Sequence, residues 1–240
     1  MANELSTAGV TVGYAFEATS GTRPETGYQR IPGVKSTPDL NPEPSALEVT
    51  TLEDTEWKRY IQALKDPGGA LGFNCNNTKE FQAAWFALCY LSAIAAEDDY
   101  ATWFVVNIPG LTESFFFKAI PSSLGVVGMD TDAVAEVTAY VSPNDVEGWD
   151  TAPTSNAVYI TPIGTQSVSA TPLAITPVLD NATAIIDTSV SSDTAVATVA
   201  DDGEVVTITK VGAGVCYITL TTDSGVGYSV GKTVFKVVVS

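Results

Sequence analysis

Phe115–Pro143 reads FFFKAIPSSLGVVGMDTDAVAEVTAYVSP, and its two apolar runs decide the fold class. The run opened by Phe115, Phe116 and Phe117 closes near Ile120. Pro121-Ser122-Ser123, then Gly125 and Gly128, break it, because proline removes a ladder donor and glycine tolerates the positive φ of turns. From Ala133 to Val141 the residues alternate. Ala133, Ala135, Val137, Ala139 and Val141 would share one face, and Val134, Glu136, Thr138 and Tyr140 the other. A period of two predicts a strand with one dry and one mixed side. Two strands and a turn-rich connection are architecture, with no catalytic constellation among them.

Upstream, Thr102 to Ile108 is a dense strand run stopped by Pro109-Gly110, and Val10 to Phe16 alternates as an early strand. Gly21 to Pro44 is rich in Gly, Pro, Thr and charge, with Ile31 and Val34 as apolar anchors, and reads as loop and arm. Ala46 to Thr51 is a short strand candidate. In Thr51 to Asp66, Trp57, Tyr60, Ile61 and Leu64 fall at helical spacing, and Pro67-Gly68-Gly69 would stop the helix. Asn77-Thr78-Lys79-Glu80 predicts a second helix start, with Asn77 as N-cap and Glu80 reaching back to it. Phe81, Ala84, Trp85, Leu88 and Cys89 form one face. Phe86, Tyr90, Leu91 and Ile94 make the helix apolar nearly all round, so it should be largely buried. Glu97-Asp98-Asp99 opposes the helix dipole, which predicts an end near Ala95.

Downstream, Asn144 to Asn156 is polar and reads as a linker. Beyond Val158 helical periodicity disappears. Short strands at Ala184–Asp187, Ala195–Ala200, Val205–Thr209, Cys216–Thr221 and Thr233–Val239, with Asp201-Asp202-Gly203 and Gly212-Ala213-Gly214 as turns, have the spacing of a small β-sandwich. The chain therefore reads as mainly β in two domains. Residues 1–153 form a mixed domain with one packed helix, 154–157 a linker, and 158–240 an all-β domain.

Composition excludes several functions. The net charge of −17 speaks against binding nucleic acid by phosphate neutralisation, which needs clustered Lys and Arg. The 240 residues contain no histidine, the commonest general base and metal ligand, so nucleophilic catalysis by Ser or Cys lacks its usual partner. Cys75, Cys89 and Cys216 are far apart and read as reduced, small hydrophobes of a cytosolic protein. Met1-Ala2-Asn3-Glu4 lacks the basic and apolar regions of a signal peptide. Phe81 to Ala96 is shorter than the roughly 20 residues of a membrane span. Gly225 to Thr233 (GVGYSVGKT) imitates a phosphate-binding loop, but Val226 stands where the first glycine belongs and a strand follows where that loop needs a helix. Asp130-x-Asp132 and Asp201-Asp202-Gly203-Glu204 lack the alternating oxygen ligands of a calcium loop. A paired-carboxylate hydrolase stays open on spacing alone. The reading is of a protein that is not an enzyme and has no cofactor or metal.

The order and spacing of several short motifs carry a resemblance. Gly13-Tyr14-Ala15, Gly27-Tyr28, Ile31-Pro32-Gly33-Val34, Glu48-Val49-Thr50, Thr78-Lys79-Glu80-Phe81, Lys118-Ala119-Ile120-Pro121-Ser122, Ala139-Tyr140-Val141-Ser142-Pro143-Asn144-Asp145 and Gly148-Trp149 together resemble the major tail tube proteins of long, non-contractile-tailed bacteriophages. Ser192-Asp193-Thr194-Ala195-Val196-Ala197-Thr198-Val199, with Gly203, Val206-Thr207, Gly212-Ala213-Gly214 and Tyr217-Ile218-Thr219, resembles bacterial immunoglobulin-like domains of group 2, although the usual tryptophan before the first serine is absent.

The resemblance implies a tail-tube β-sandwich or barrel domain followed by an Ig-like β-sandwich, in a structural virion protein that self-assembles into stacked hexameric rings. Its partners would be itself, the tape measure protein, and the tail tip and tail terminator proteins. Genomic DNA would pass without specific binding, and no membrane would be involved. The protein would reside in the virion tail, and in the host cytoplasm during assembly. An acidic lumen would let DNA slide, which gives a use to the 21 acids and 8 bases of residues 1–153. Glu136, Thr138 and Tyr140 are the candidate lumen face. Within the 45–72 connection, Trp57, Lys58, Arg59 and Tyr60 are the candidate ring-to-ring contact, the alternative being that these aromatics pack on their own domain. The Ig-like domain would decorate the outside of the tube, passively or by weak binding of host surface glycans. The competing reading is a surface-binding module, a capsid decoration protein or adhesin, that uses the same domain.

Overall fold

The computed structural model describes residues 7–41, 45–63, 69–128 and 131–240. Strands take 45% of the chain and helix 8%, arranged as a curled sheet, several further sheets and one helix. The expected N-terminal strand forms as β1 (Thr11–Phe16), and two short strands follow it, β2 (Gln29–Arg30) and β3 (Val34–Ser36). Ile31 between them is buried, as an anchor should be. Next come a hairpin of β4 (Ala46–Glu48) and β5 (Tyr60–Gln62), then β6 (Leu71–Asn76), helix α1 (Lys79–Glu97), β7 (Thr102–Asn107), β8 (Glu113–Pro121) and β9 (Glu136–Thr151). The seven-stranded sheet has the order β2-β1-β7-β8-β9-β6-β3.

The opening stretch is thus the hairpin β8–β9, but its second strand differs from the expectation at both ends. It starts at Glu136, so Ala133 and Ala135 are exposed and lie outside the dry face. It then continues through Pro143 to Thr151, so most of the expected polar linker is strand. The reason is the partner: β8 offers a ladder from Pro121 back to Glu113, and residues 142–151 pair along it with mostly uncovered side chains. Their polarity marks exposure rather than the absence of a strand. The register skips one residue between Phe116 and Phe117 and another between Lys118 and Ala119, leaving Glu147 and Asn144 as bulges. Gly148 beside the first has φ +96°, a conformation that L side chains rarely adopt.

One face of the sheet packs on α1. Phe73, Phe104, Phe117, Val137, Ala139 and Val141 meet Phe81, Trp85 and Leu88 in one buried cluster. The other face buries Trp103, Val105 and Phe116 under Tyr28. The helix is capped by Thr78 rather than Asn77: the Thr78 Oγ1 accepts from the Phe81 N–H at 3.1 Å. Glu80 does not reach back but accepts the Tyr159 hydroxyl at 2.6 Å. The helix also outruns the acidic stop, to Glu97. Asp98 and Tyr100 donate N–H groups to the Ala95 carbonyl, and Asp99, at φ +61°, donates to Ala96. Satisfying these end carbonyls outweighs a dipole term of about 0.3–1 kcal/mol.

The C-terminal part is a two-sheet sandwich. One sheet has the order β10-β16-β15-β12, comprising β10 (Gln166–Val168), β16 (Lys232–Val239), β15 (Gly214–Thr222) and β12 (Ile186–Ser191). The other is β11 (Leu173–Ile175), β14 (Val206–Lys210) and β13 (Ala197–Asp201). Ile186, Ala197, Ile208, Ile218, Leu220 and Phe235 form its shared core. Strands β10 and β11 add to the expected set, since three residues carry too short a pattern to predict a strand. The Asp202 carboxylate accepts the Glu204 and Val205 N–H groups, which makes the Asp-Asp-Gly segment a turn, as expected.

Residues 154–157 are pinned rather than free as a tether. Gly27 donates its N–H to Ser155, Tyr28 pairs with Asn156, and Ala157 pairs with Ser229. A Cβ on Gly231 would stand 2.0 Å from the Val158 carbonyl oxygen, so only glycine allows this approach. A second face of α1 completes the junction: Ala87 and Leu91 pack with Val234, flanked by Tyr90 and Tyr217. This is why the helix is apolar on more than one side. Its remaining side is not buried, and Phe86 and Ile94 are partly exposed there.

Candidate assembly surfaces

The β4–β5 hairpin is where sequence and structure diverge most. Helical spacing of Trp57, Tyr60 and Ile61 predicts a helix, yet Tyr60–Gln62 is a strand paired with Ala46–Glu48 (Leu64 lies outside the described residues). Spacing within one segment cannot register a partner strand 14 residues upstream, and that partner decides. Leu47 faces Ile61 directly, and Glu48 faces Tyr60 on the opposite side of the ribbon. Lys58 pairs with Glu48 at 3.0 Å, and Arg59 with Asp54 at 3.6 Å. These pairs brace the ribbon but cover none of its apolar surface. Leu47, Leu52, Tyr60 and Ile61 are all more than half exposed, and Trp57 is 82% exposed. The aromatics therefore do not pack on their own domain. A lone two-stranded ribbon is at best marginally stable in water, and this one leaves its apolar side chains in solvent.

The candidate lumen residues lie together on β9. Thr138 donates its hydroxyl to Asn74 at 2.9 Å, and the Tyr140 ring lies across Gly72, where an added Cβ would meet Thr138 at 2.7 Å and the ring at 3.2 Å. Glu136 forms an ion pair with Lys35. Other acids nearby are paired too: Lys118 with Asp145, and Arg23 with both Glu147 and Asp150. The face is polar, and its single candidate carboxylate is balanced by a neighbouring cation.

Two features that sequence reasoning missed stabilise the far side of the sheet. Arg23 lies over the Phe116 ring at 4.1 Å while holding its two carboxylates. Glu17 is 5% exposed and accepts the Trp103 indole N–H at 2.9 Å, with the Ala101 and Gly21 N–H groups also donating to it. Burial alone would raise its pKa, but the three donated bonds together outweigh it and hold the carboxyl below its ordinary range. The pairing of Glu17 with Trp103, 86 residues away, leaves no local sequence signal. Burial pushes the Cys75 and Cys89 thiols up to about 12, which disfavours their thiolate forms.

Among the described residues no group of three His, Cys, Asp or Glu side chains could hold a metal ion, and no helix is long and apolar enough to cross a membrane. No protein-family model matches the chain, and no curated protein matches it.

Proposed function

We propose that the chain is a structural, self-assembling protein that builds the tail tube of a long, non-contractile-tailed bacteriophage. The observation that carries this reading is the projecting arm, whose Leu47, Trp57, Tyr60 and Ile61 are left uncovered by their own chain. The curled seven-stranded sheet supports it, since β2 and β3 each pair with only two residues of the longer strand inside them and leave the rest of that strand for copies to join. On this reading the partners are further copies in stacked hexameric rings, the tape measure protein, and the tail tip and terminator proteins. DNA slides past the polar β9 face, and the chain performs no chemistry of its own. Negative-stain electron microscopy of the purified full chain should show rings or tubes with a central channel. A chain that stays monomeric at millimolar concentration, with or without tail-tip complexes, would sink the proposal.

A further inference from the structure

The arm tip has a chemical counterpart elsewhere on the same chain. Within Leu52-Glu53-Asp54-Thr55-Glu56-Trp57, Asp54 is occupied by Arg59 and by the Thr51 N–H and hydroxyl. Glu53 and Glu56 have no partner among the described residues and are exposed, as are the flanking Leu52 and Trp57. The tip thus offers two free carboxylates between two bare apolar side chains.

Free cations are scarce in a chain with 11 bases and 28 acids. Among the described residues, Arg30, Lys79, Lys210, Lys232 and Lys236 form no ion pair, and of these Lys79 and Lys236 line one groove of about 490 Å³. Its walls come from the first two turns of α1 (Lys79, Gln82, Phe86), from Ile163-Gly164-Thr165 ahead of β10, and from Lys236 on β16. Phe86 is held in place by ring contacts with Tyr90 and Tyr217 at 6.2 and 5.9 Å, yet remains 38% exposed. Lys79 occupies the first helical position, where the dipole disfavours a cation, so helix stability does not account for it.

We propose that this groove receives the arm tip of a second copy, with Glu53 and Glu56 facing Lys79 and Lys236, and Leu52 and Trp57 lying against Phe86 and Ile163. The charges match two for two, and each side supplies exposed apolar surface to exclude water around them. Tip and groove are different patches of one chain, so the contact is head-to-tail and propagates from copy to copy. The inference rests on the self-assembly reading and adds the receptor surface to it. It also gives the pinned junction a role, because the groove exists only while α1 and β16 are held together.

Charge reversal tests the pairing, with association followed by sedimentation velocity on the full chain at low salt and folding followed by thermal unfolding. Lys79→Glu with Lys236→Glu, and separately Glu53→Lys with Glu56→Lys, should each weaken association at least about tenfold while the melting transition is kept. The quadruple variant should return to within about threefold of the parent, and 0.5 M salt should weaken the parent most. If the groove reversal leaves association unchanged while Trp57→Ala abolishes it, the groove is wrong and arm-driven assembly stands. If both double variants weaken association and the quadruple does not recover, the two surfaces meet other partners and the pairing is wrong. A parent chain that never associates overturns the groove and the tube reading together.

Discussion

Helix α1 and the β4–β5 arm are both apolar segments flanked by charge, and they meet opposite fates. The helix is dry on two sides, with Trp85 and Leu88 against the seven-stranded sheet and Leu91 against Val234. The arm carries Leu47, Trp57, Tyr60 and Ile61, each more than half exposed. Hydrophobic content does not decide burial. A helix of 19 residues can lie along a sheet and present a second face to a sandwich, whereas a ribbon of three residue pairs has two thin faces and no layer beneath it.

The contrast breaks most visibly at Trp85, which is 1% exposed and donates its indole N–H to the Ser122 carbonyl at 2.8 Å. Trp85→Ala should cost about 3–5 kcal/mol of folding stability, measured by chemical denaturation. A loss below 1 kcal/mol would mean that the helix is not the core element it is taken to be.

In the arm the same kind of change should act on a different quantity. Leu47→Asp with Ile61→Asp should shift folding stability by no more than about 0.5 kcal/mol, as for exposed positions, while weakening self-association at least about tenfold. Differential scanning calorimetry and sedimentation on the same sample separate the two effects. A large fall in the melting temperature with association intact would make the arm part of the core and end the comparison.

The smallest expected effect is at Glu17, behind the sheet. Its folded pKa lies below the unfolded one, so its contribution is complete above the ordinary glutamate value of about 4.3 and fades as pH falls through the lower folded value. Glu17→Gln should cost roughly 1–2 kcal/mol at neutral pH, the scale of bonds to a charged acceptor. The difference from the parent should be flat from pH 7 down to the ordinary glutamate range and narrow only as the pH falls below it. A gap that persists at low pH would make the effect one of shape rather than charge.

Much of this was legible in the residues. The alternating run at 10–16 and the apolar runs at 102–108 and 115–120 each became a strand close to the expected bounds, because an apolar run of strand length between turn signals marks a largely buried strand. Four of the five expected C-terminal strands formed near their bounds, while that at Ala184–Asp187 begins only at Ile186 and runs on to Ser191. Two of the errors share one cause. Residues 144–151 look like a linker and 57–61 like a helix because the deciding partner, β8 in one case and Ala46–Glu48 in the other, lies outside the window in which any pattern is read. Trp57, Lys58, Arg59 and Tyr60, the candidate ring-to-ring contact, are exposed residues of one connection. Leu47 and Ile61, which form the directly opposed apolar pair, are not among those candidates, since facing positions appear only once register is known.

By itself the sequence determined local things: where strands alternate, where glycine and proline turn the chain, that the helix is apolar on more than one side, and that no histidine is available for chemistry. These follow from single-residue preferences and short periods. Tertiary structure alone decided what each apolar face meets: α1 wedged between sheet and sandwich, Glu17 beneath Trp103, and the arm left bare. Contact between residues far apart depends on where the chain returns in space, and no local period encodes that return.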